Sequence, residues 1–161
     1  MSSMPSSGDH AQHAPVIRSL DRAECEAILA RNHVGRVAYG LAGRVDIAPL
    51  HYVFLDGWLY GRTSHGAKLG IIMHNHWVAF EVDEVAGLLD WRSVVVRGGW
   101  YSYDVAPPSE HAAWDRGIAA LRELVAGTLT PNDPVPFRTV VFRIETAEIT
   151  GRECRPAPTH N

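Results

Sequence analysis

Apolar and polar positions along this chain repeat with two different periods, and the switches between them divide it into elements. Ordered structure begins at Val16. Ser19 or Asp21 is placed to cap a helix over roughly residues 21–31, with Glu24 and Glu26 in its favourable first turns. Cys25, Ile28 and Leu29 recur at helical spacing and form its buried face, which makes Cys25 a packing residue. The helix ends near Asn32, and the period shortens. VGRVAYGL (34–41) passes through the short turn Ala42-Gly43 into RVDIAPLHYVFL (44–55). Asp56-Gly57 is a strong two-residue hairpin signal, and WLYGRT (58–63) is the return strand. Pro49 cannot donate to a central ladder, so it marks an edge, a bulge or an opening in the second of these strands.

A helix over 66–75 follows, then a strand HWVAFEVDE (76–84). WRSVVVRGGWYSYDV (91–105) reads as a long strand whose Gly98-Gly99 break predicts a bulge that turns a barrel corner. Pro107-Pro108 stops it. Residues 109–127 form an amphipathic helix with Trp114, Ile118, Leu121 and Leu124 on one stripe, and FRTVVFRIETAEITG (137–151) is the last strand. The tally is about six strands and three helices. The early strand links are short, which argues for antiparallel pairing, and no βαβ series is present to build a Rossmann sheet. The fold class is therefore mainly β within α+β, a small closed or half-closed barrel decorated by helices. Residues 1–15, rich in Ser, Pro, Gly and His, read as a disordered leader. Residues 16–151 read as one domain, and 152–161 as a frayed tail.

Composition narrows the function classes. The 161 residues suffice for one domain with a real core, and 46% hydrophobic with 20% charged residues is ordinary globular usage. A net charge of −3 removes the bulk electrostatic case for nucleic acid. The two cysteines, Cys25 and Cys154, lie far apart and form no Cys-x-x-Cys pair. No apolar run reaches the roughly 18 residues of a membrane span, and the N-terminus lacks the basic and apolar regions of a signal peptide. A cytoplasmic protein without a membrane partner is the expectation.

Three stretches can carry chemistry. In GRTSHGAKLG (61–70), Ser64 is placed to cap the following helix, whose first N–H groups attract anions. Thr63 and Ser64 add hydroxyl donors, Gly66 keeps bulk away, and Lys68 supplies a point charge. These are the parts of a phosphate cradle, although the same residues also make a plain helix cap with a solvated lysine. The spacing is not that of a Walker loop. In DIAPLHYVF, a strand opened at Pro49 offers backbone groups near Leu50 to the edge of a flat heterocycle, with His51 and Tyr52 on opposite faces. His51 is the candidate for protonation, or else a satisfied half-buried histidine. In DWRSVVVRG, Trp91 is placed to wall a planar ligand and Ser93 to donate to it, or else Trp91 packs as one of five tryptophans. His74 and His76 lack a third ligand at a recognised spacing, so no metal site is expected. There is no G-x-S-x-G elbow for a serine hydrolase.

The order LYGRTSHGAKL, NHWVAFEVDE, WRSVVVRG resembles the pyridoxamine 5′-phosphate oxidase-like family, near its nitroimidazole-resistance branch, from about Ser19 to Gly151. The resemblance implies a six-stranded antiparallel split β-barrel of the FMN-binding type. It implies a homodimer with FMN at the interface and oxidoreductase activity on a small molecule. By the resemblance, Arg62, Thr63, Ser64 and Lys68 hold the phosphate and ribityl chain. The strand from Ala48 through Pro49, Leu50 and His51 to Tyr52 lies along the ring. Trp91 and Ser93 close the site from the other subunit. Some relatives use the deazaflavin F420 and some bind haem, so the alternatives are an F420-dependent reductase of the same fold or a non-catalytic flavin- or haem-binding module. Gly61-Arg62 stands where the nitroimidazole branch has a histidine. GRECRPAPTHN offers no equivalent of the oxidase's substrate arginine and histidine, so neither substrate carries over.

Overall fold

The computed structural model describes residues 14–158. The expected leader lies outside the described residues over 1–13, as does the end of the expected tail, 159–161. The chain runs β1 (Val16–Leu20), α1 (Arg22–Arg31), β2 (Val34–Leu41), β3 (Arg44–Leu55), β4 (Trp58–Thr63), α2 (Ala67–His74), β5 (Trp77–Gly87) and β6 (Asp90–Ser102). Two short 3₁₀ turns, α3 (His111–Leu124), β7 (Val140–Glu145) and β8 (Glu148–Arg155) complete it. All pairings are antiparallel, in the order β1-β8-β6-β5-β2-β3-β4-β7, and a further β6–β7 pairing closes a ring. Six strands therefore form the barrel, as expected, and β8 with β1 extends it as a wing.

The two early hairpins follow from their turns. Ala42 and Gly43 have φ of 52° and 80°, and Asp56 and Gly57 have 52° and 79°, the left-handed pair that two-residue hairpins require. Asp21, not Ser19, caps α1. Its side chain accepts from the Glu24 N–H at 2.8 Å while Glu24 reaches back to the Asp21 N–H at 2.9 Å, a reciprocal capping box. The face carrying Cys25, Ile28 and Leu29 is buried, as its spacing predicts.

Three expectations are corrected. There are eight strands rather than six, because β1 was not foreseen and the stretch 137–151 breaks at Thr146-Ala147 into β7 and β8. The predicted tail is structured as far as Arg155. Cys154 is buried, and the buried Glu153 carboxylate holds Arg18, Arg92 and Arg155 at 2.7, 3.0 and 3.1 Å. Gly98-Gly99 is not a bulge, since the β5–β6 register runs unbroken through it and shifts only at Val85/Gly87. It is instead where β6 changes neighbour, from β8 over Trp91–Arg97 to β7 over Trp100–Ser102.

The barrel interior is filled by Val37, Leu50, Tyr52, Phe80, Val94, Trp100, Phe142 and Ile144, among others. Trp100 stacks on Phe142 with ring centroids 3.8 Å apart. Outside the barrel, α3 packs Trp114 and Leu121 against Val53, Tyr60 and Val141. Tyr52 belongs to the interior. Its hydroxyl donates to the Leu29 carbonyl at 2.7 Å, tying α1 to β3, and burial pushes its pKa up. Tyr52→Phe is expected to cost about 1 kcal/mol in urea unfolding, the net worth of one buried hydrogen bond, and to leave ligand binding intact.

A second tie links α1 to β5. Arg31 donates to both Glu84 carboxylate oxygens at 2.7 and 2.8 Å, and Asn32 adds a third bond at 2.7 Å. The Arg31 guanidinium, helped by Asn32, lowers the Glu84 pKa from 4.5 to about 2. A depressed carboxylate contributes stability that is present above its unfolded value and lost as pH falls through its folded one. The melting temperature is therefore expected to fall between about pH 4.5 and 2, and Glu84→Gln to flatten that acid limb. An unchanged acid limb in the variant would discard the assignment.

Candidate functional site

β4 delivers the chain to the start of α2 through Ser64, His65 and Gly66. Ser64 does not cap the helix. The N-cap is Gly66, in extended backbone, and among the described residues no side-chain bond caps the first turn. Ser64 and His65 are exposed, and a Cβ at Gly66 or Gly70 would meet nothing within 4 Å. The start of α2 thus presents N–H groups without a side-chain partner toward open space. An anion is favoured there by the helix dipole and by those donors together.

Lys68 sits in that first turn, half-buried. Burial, and then the charge of Arg138, lowers its ammonium pKa from the ordinary 10.5. Among the described residues neither Lys68 nor Arg138 makes an ion pair or a hydrogen bond to a protein side chain. Arg138 escaped the sequence reading. Its signal was its place at the start of the last strand segment, antiparallel to WLYGRT. Arg138 lies two residues before Val140, the β7 partner of Thr63, and lines a small cavity with His51 and Arg62. Thr63 is buried at the end of β4.

Arg62 is differently employed. Its guanidinium donates to both oxygens of Asp133, one bond at 2.9 Å, with the two side chains 8% and 4% exposed. Arg62, with the Val135 and Leu129 N–H groups, holds the Asp133 carboxyl far below the usual carboxylate range. His51, exposed on β3, borders a narrow cavity of about 30 Å³ together with Arg62, Thr128, Val135 and Arg138.

The β3 opening has a clear geometry. The Tyr52 N–H donates to the His33 carbonyl at 3.0 Å, which makes alternate β3 residues, including Leu50, face β2. The intervening Val45, Ile47 and Pro49 point their backbone groups away, past the end of β4, whose pairing with β3 covers only Tyr52–Leu55. Pro49 therefore breaks no β2 bond, and the free edge lies at Val45 to Pro49 rather than at Leu50 and Tyr52.

Trp91 and Ser93 are not brought to Lys68 within one chain. They line a separate cavity of about 550 Å³ with Ser19, Leu20, Val95, Ile149, Thr150 and Arg152, on the outer face of β1, β8 and β6. The Ser93 hydroxyl donates to Glu81 at 3.1 Å, and burial raises the Glu81 pKa. Cross-strand neighbours Pro49, Arg36, Glu81 and Val95 run in one row across this face. The same face exposes Ile17, Val34, Val45, Ile47, Trp77 and Val85. So many large apolar side chains on one sheet face mark an interaction surface. Among the described residues no cluster of three metal-ligating side chains occurs, and no helix is long and apolar enough to cross a membrane.

Comparison with known proteins agrees with this fold. The chain is 26% identical over 147 residues to the uncharacterized protein RA0666 of Rhizobium meliloti (strain 1021), covering 84% of this chain and 94% of that one. It is 28% identical to a FAD-binding protein (mll6688) from Mesorhizobium loti, whose crystal structure superposes with TM-score 0.70 over 88% of this chain and 98% of that one. A FAD binding protein from Mycobacterium smegmatis shares the fold, with TM-score 0.61 at 24% identity over 84% of this chain and 98% of that one. The family described as pyridoxamine 5′-phosphate oxidase matches residues 21–153, and with most of the chain so covered, this protein belongs to the pyridoxamine 5′-phosphate oxidase-like family of split barrels.

Proposed function

We propose that the protein is a flavin-dependent oxidoreductase of a small molecule, with the phosphate of FMN held at the start of α2. The observation that carries this reading is Lys68, a half-buried ammonium with no carboxylate partner among the described residues, beside an uncapped helix start. Burying a charge without a partner is costly unless a ligand supplies one. Thr63 adds a hydroxyl, and the free β3 edge from Val45 to Pro49 offers polar groups to the rim of a flat ring. The description of the Mesorhizobium loti relative as FAD-binding supports a flavin, and FAD carries the same phosphate next to its ribityl chain.

A bound flavin supplies the electron transfer, while the chain binds, orients and shields it. The exposed apolar sheet face supports a homodimer, in which Trp91 and Ser93 of one copy cover the flavin held by Lys68 of the other. His51, bordering the cavity next to Arg62 and Arg138, is the candidate proton donor.

The test is an absorbance spectrum of the purified protein, then titration with FMN, FAD and F420 and reduction by NADH and NADPH. Micromolar or tighter flavin binding with reduction is the expected result. A flavin that binds but is never reduced would make the protein a carrier rather than an enzyme. Preference for F420 would transfer the same cradle to a deazaflavin, and a Soret band would replace flavin by haem. Binding of none of these would end the proposal.

A further inference from the structure

The phosphate reading leaves one buried pair unexplained. Arg62 has the position expected of a phosphate ligand, yet its guanidinium is committed to Asp133. Asp133 is equally committed. Beyond the two bonds from Arg62, its oxygens accept the Leu129 N–H at 2.7 Å and the Val135 N–H at 2.9 Å. A carboxylate with four donors, almost out of water, has no reason to release its arginine to an incoming anion.

Those bonds organise the segment from Val125 to Arg138, which has no helix or strand of its own. Its other internal bonds are turns: Thr128 to Val125, Thr130 to Gly127, Asp133 to Thr130 and Arg138 to Val135. Arg122 donates to the Thr128 carbonyl at 3.0 Å, fixing the segment to α3. On the barrel side, the Arg62–Asp133 pair is its polar anchor. The segment ends at Arg138, two residues before the Thr63–Val140 pairing.

We infer that Arg138 is the second cation of the phosphate site, and that the Arg62–Asp133 pair is a clamp holding the 125–138 segment so that Arg138 faces Lys68. This rests on the phosphate reading above. Two like charges held close without a carboxylate between them are unfavourable in the empty protein, and a dianion between them removes that cost. Arg138 offers a planar fork suited to phosphate oxygens, where Lys68 offers a point charge. Arg62 and Asp133 are positioning residues and do not touch the ligand.

The experiment compares FMN with riboflavin, which lacks the phosphate, by fluorescence titration of the full-length protein and its variants. In the wild type, FMN binds more tightly than riboflavin. Arg138→Ala is expected to reduce FMN affinity about tenfold or more and leave riboflavin affinity unchanged. It should also weaken the salt dependence of FMN binding, and Arg138→Lys should restore part of the loss. Asp133→Asn is expected to shift FMN affinity in the same direction while far-UV circular dichroism stays native. If Asp133→Asn does not fold, Arg62→Lys, which keeps the charge but not the fork, replaces it. A wild type that does not distinguish FMN from riboflavin would overturn the phosphate reading, and the inference with it. A wild type that does distinguish them, lost in Lys68→Ala but kept in Arg138→Ala, would overturn the inference alone. Unchanged FMN affinity in a folded clamp variant would overturn the clamp.

Discussion

Gly98→Ala is expected to destabilise the protein by more than about 3 kcal/mol, the upper range for overpacking, because the added methyl would collide with backbone. An alanine Cβ at this position would strike the Glu145 carbonyl oxygen, 2.8 Å from its carbon and 3.4 Å from the Ala147 nitrogen. Glu145 is the last residue of β7, and the barrel closes just beside it through Trp100–Ile144. Neither strand yields without breaking that closure. The neighbouring glycine is the control. The nearest atoms to a Cβ at Gly99 belong to the Tyr101 side chain, at 2.9 to 3.1 Å, and Tyr101 is 47% exposed, so a side chain rather than backbone would have to shift. Scanning calorimetry should show a drop of roughly 10 °C for Gly98→Ala and a small change for Gly99→Ala. Similar melting temperatures for the two variants would mean that the close approach is not what glycine serves here.

The largest effect on binding is expected from Lys68→Ala. A hydrogen bond to a charged group contributes roughly 1.5–3 kcal/mol, so FMN affinity should fall about 10- to 100-fold while riboflavin affinity holds. The depressed ammonium pKa adds a second signature. In the free protein Lys68 loses its proton below the ordinary 10.5, so FMN affinity should decline on the alkaline side before a normal lysine would titrate. Lys68→Arg, which keeps its charge, should remove that decline. Equal FMN affinity in wild type and Lys68→Ala would take the phosphate away from α2.

Much of the barrel was legible because its hairpins are short and their turn residues speak for themselves. Ala42-Gly43 and Asp56-Gly57 fix the register of β2, β3 and β4 locally. β1 was not legible because it pairs only with β8 and buries almost none of its side chains, so VIRSL carries no alternation. The break between β7 and β8 escaped notice because Thr146-Ala147 contains no glycine, proline or asparagine. At the candidate site, the composition of GRTSHGAKLG showed that an anion was chemically plausible. The sequence could not show that Arg62 finds Asp133, 71 residues away, or that the charge of Arg138 reaches Lys68. Those are consequences of the β4–β7 pairing, and no local pattern encodes a distant ladder.

The change of neighbour along β6 has a consequence for how the protein is made. Both partners that complete β6, together with the partner of β1 among the described residues, lie within residues 140–155. While the chain is being synthesised, β6 and β4 present bare edges until that last segment leaves the ribosome. The long closing contacts make final ring formation slow relative to the hairpins. A nascent chain stalled before residue 140 would expose β6 as a long apolar strand, the kind of edge that recruits another chain. Truncation ahead of β7 is therefore expected to yield aggregates rather than a smaller folded barrel.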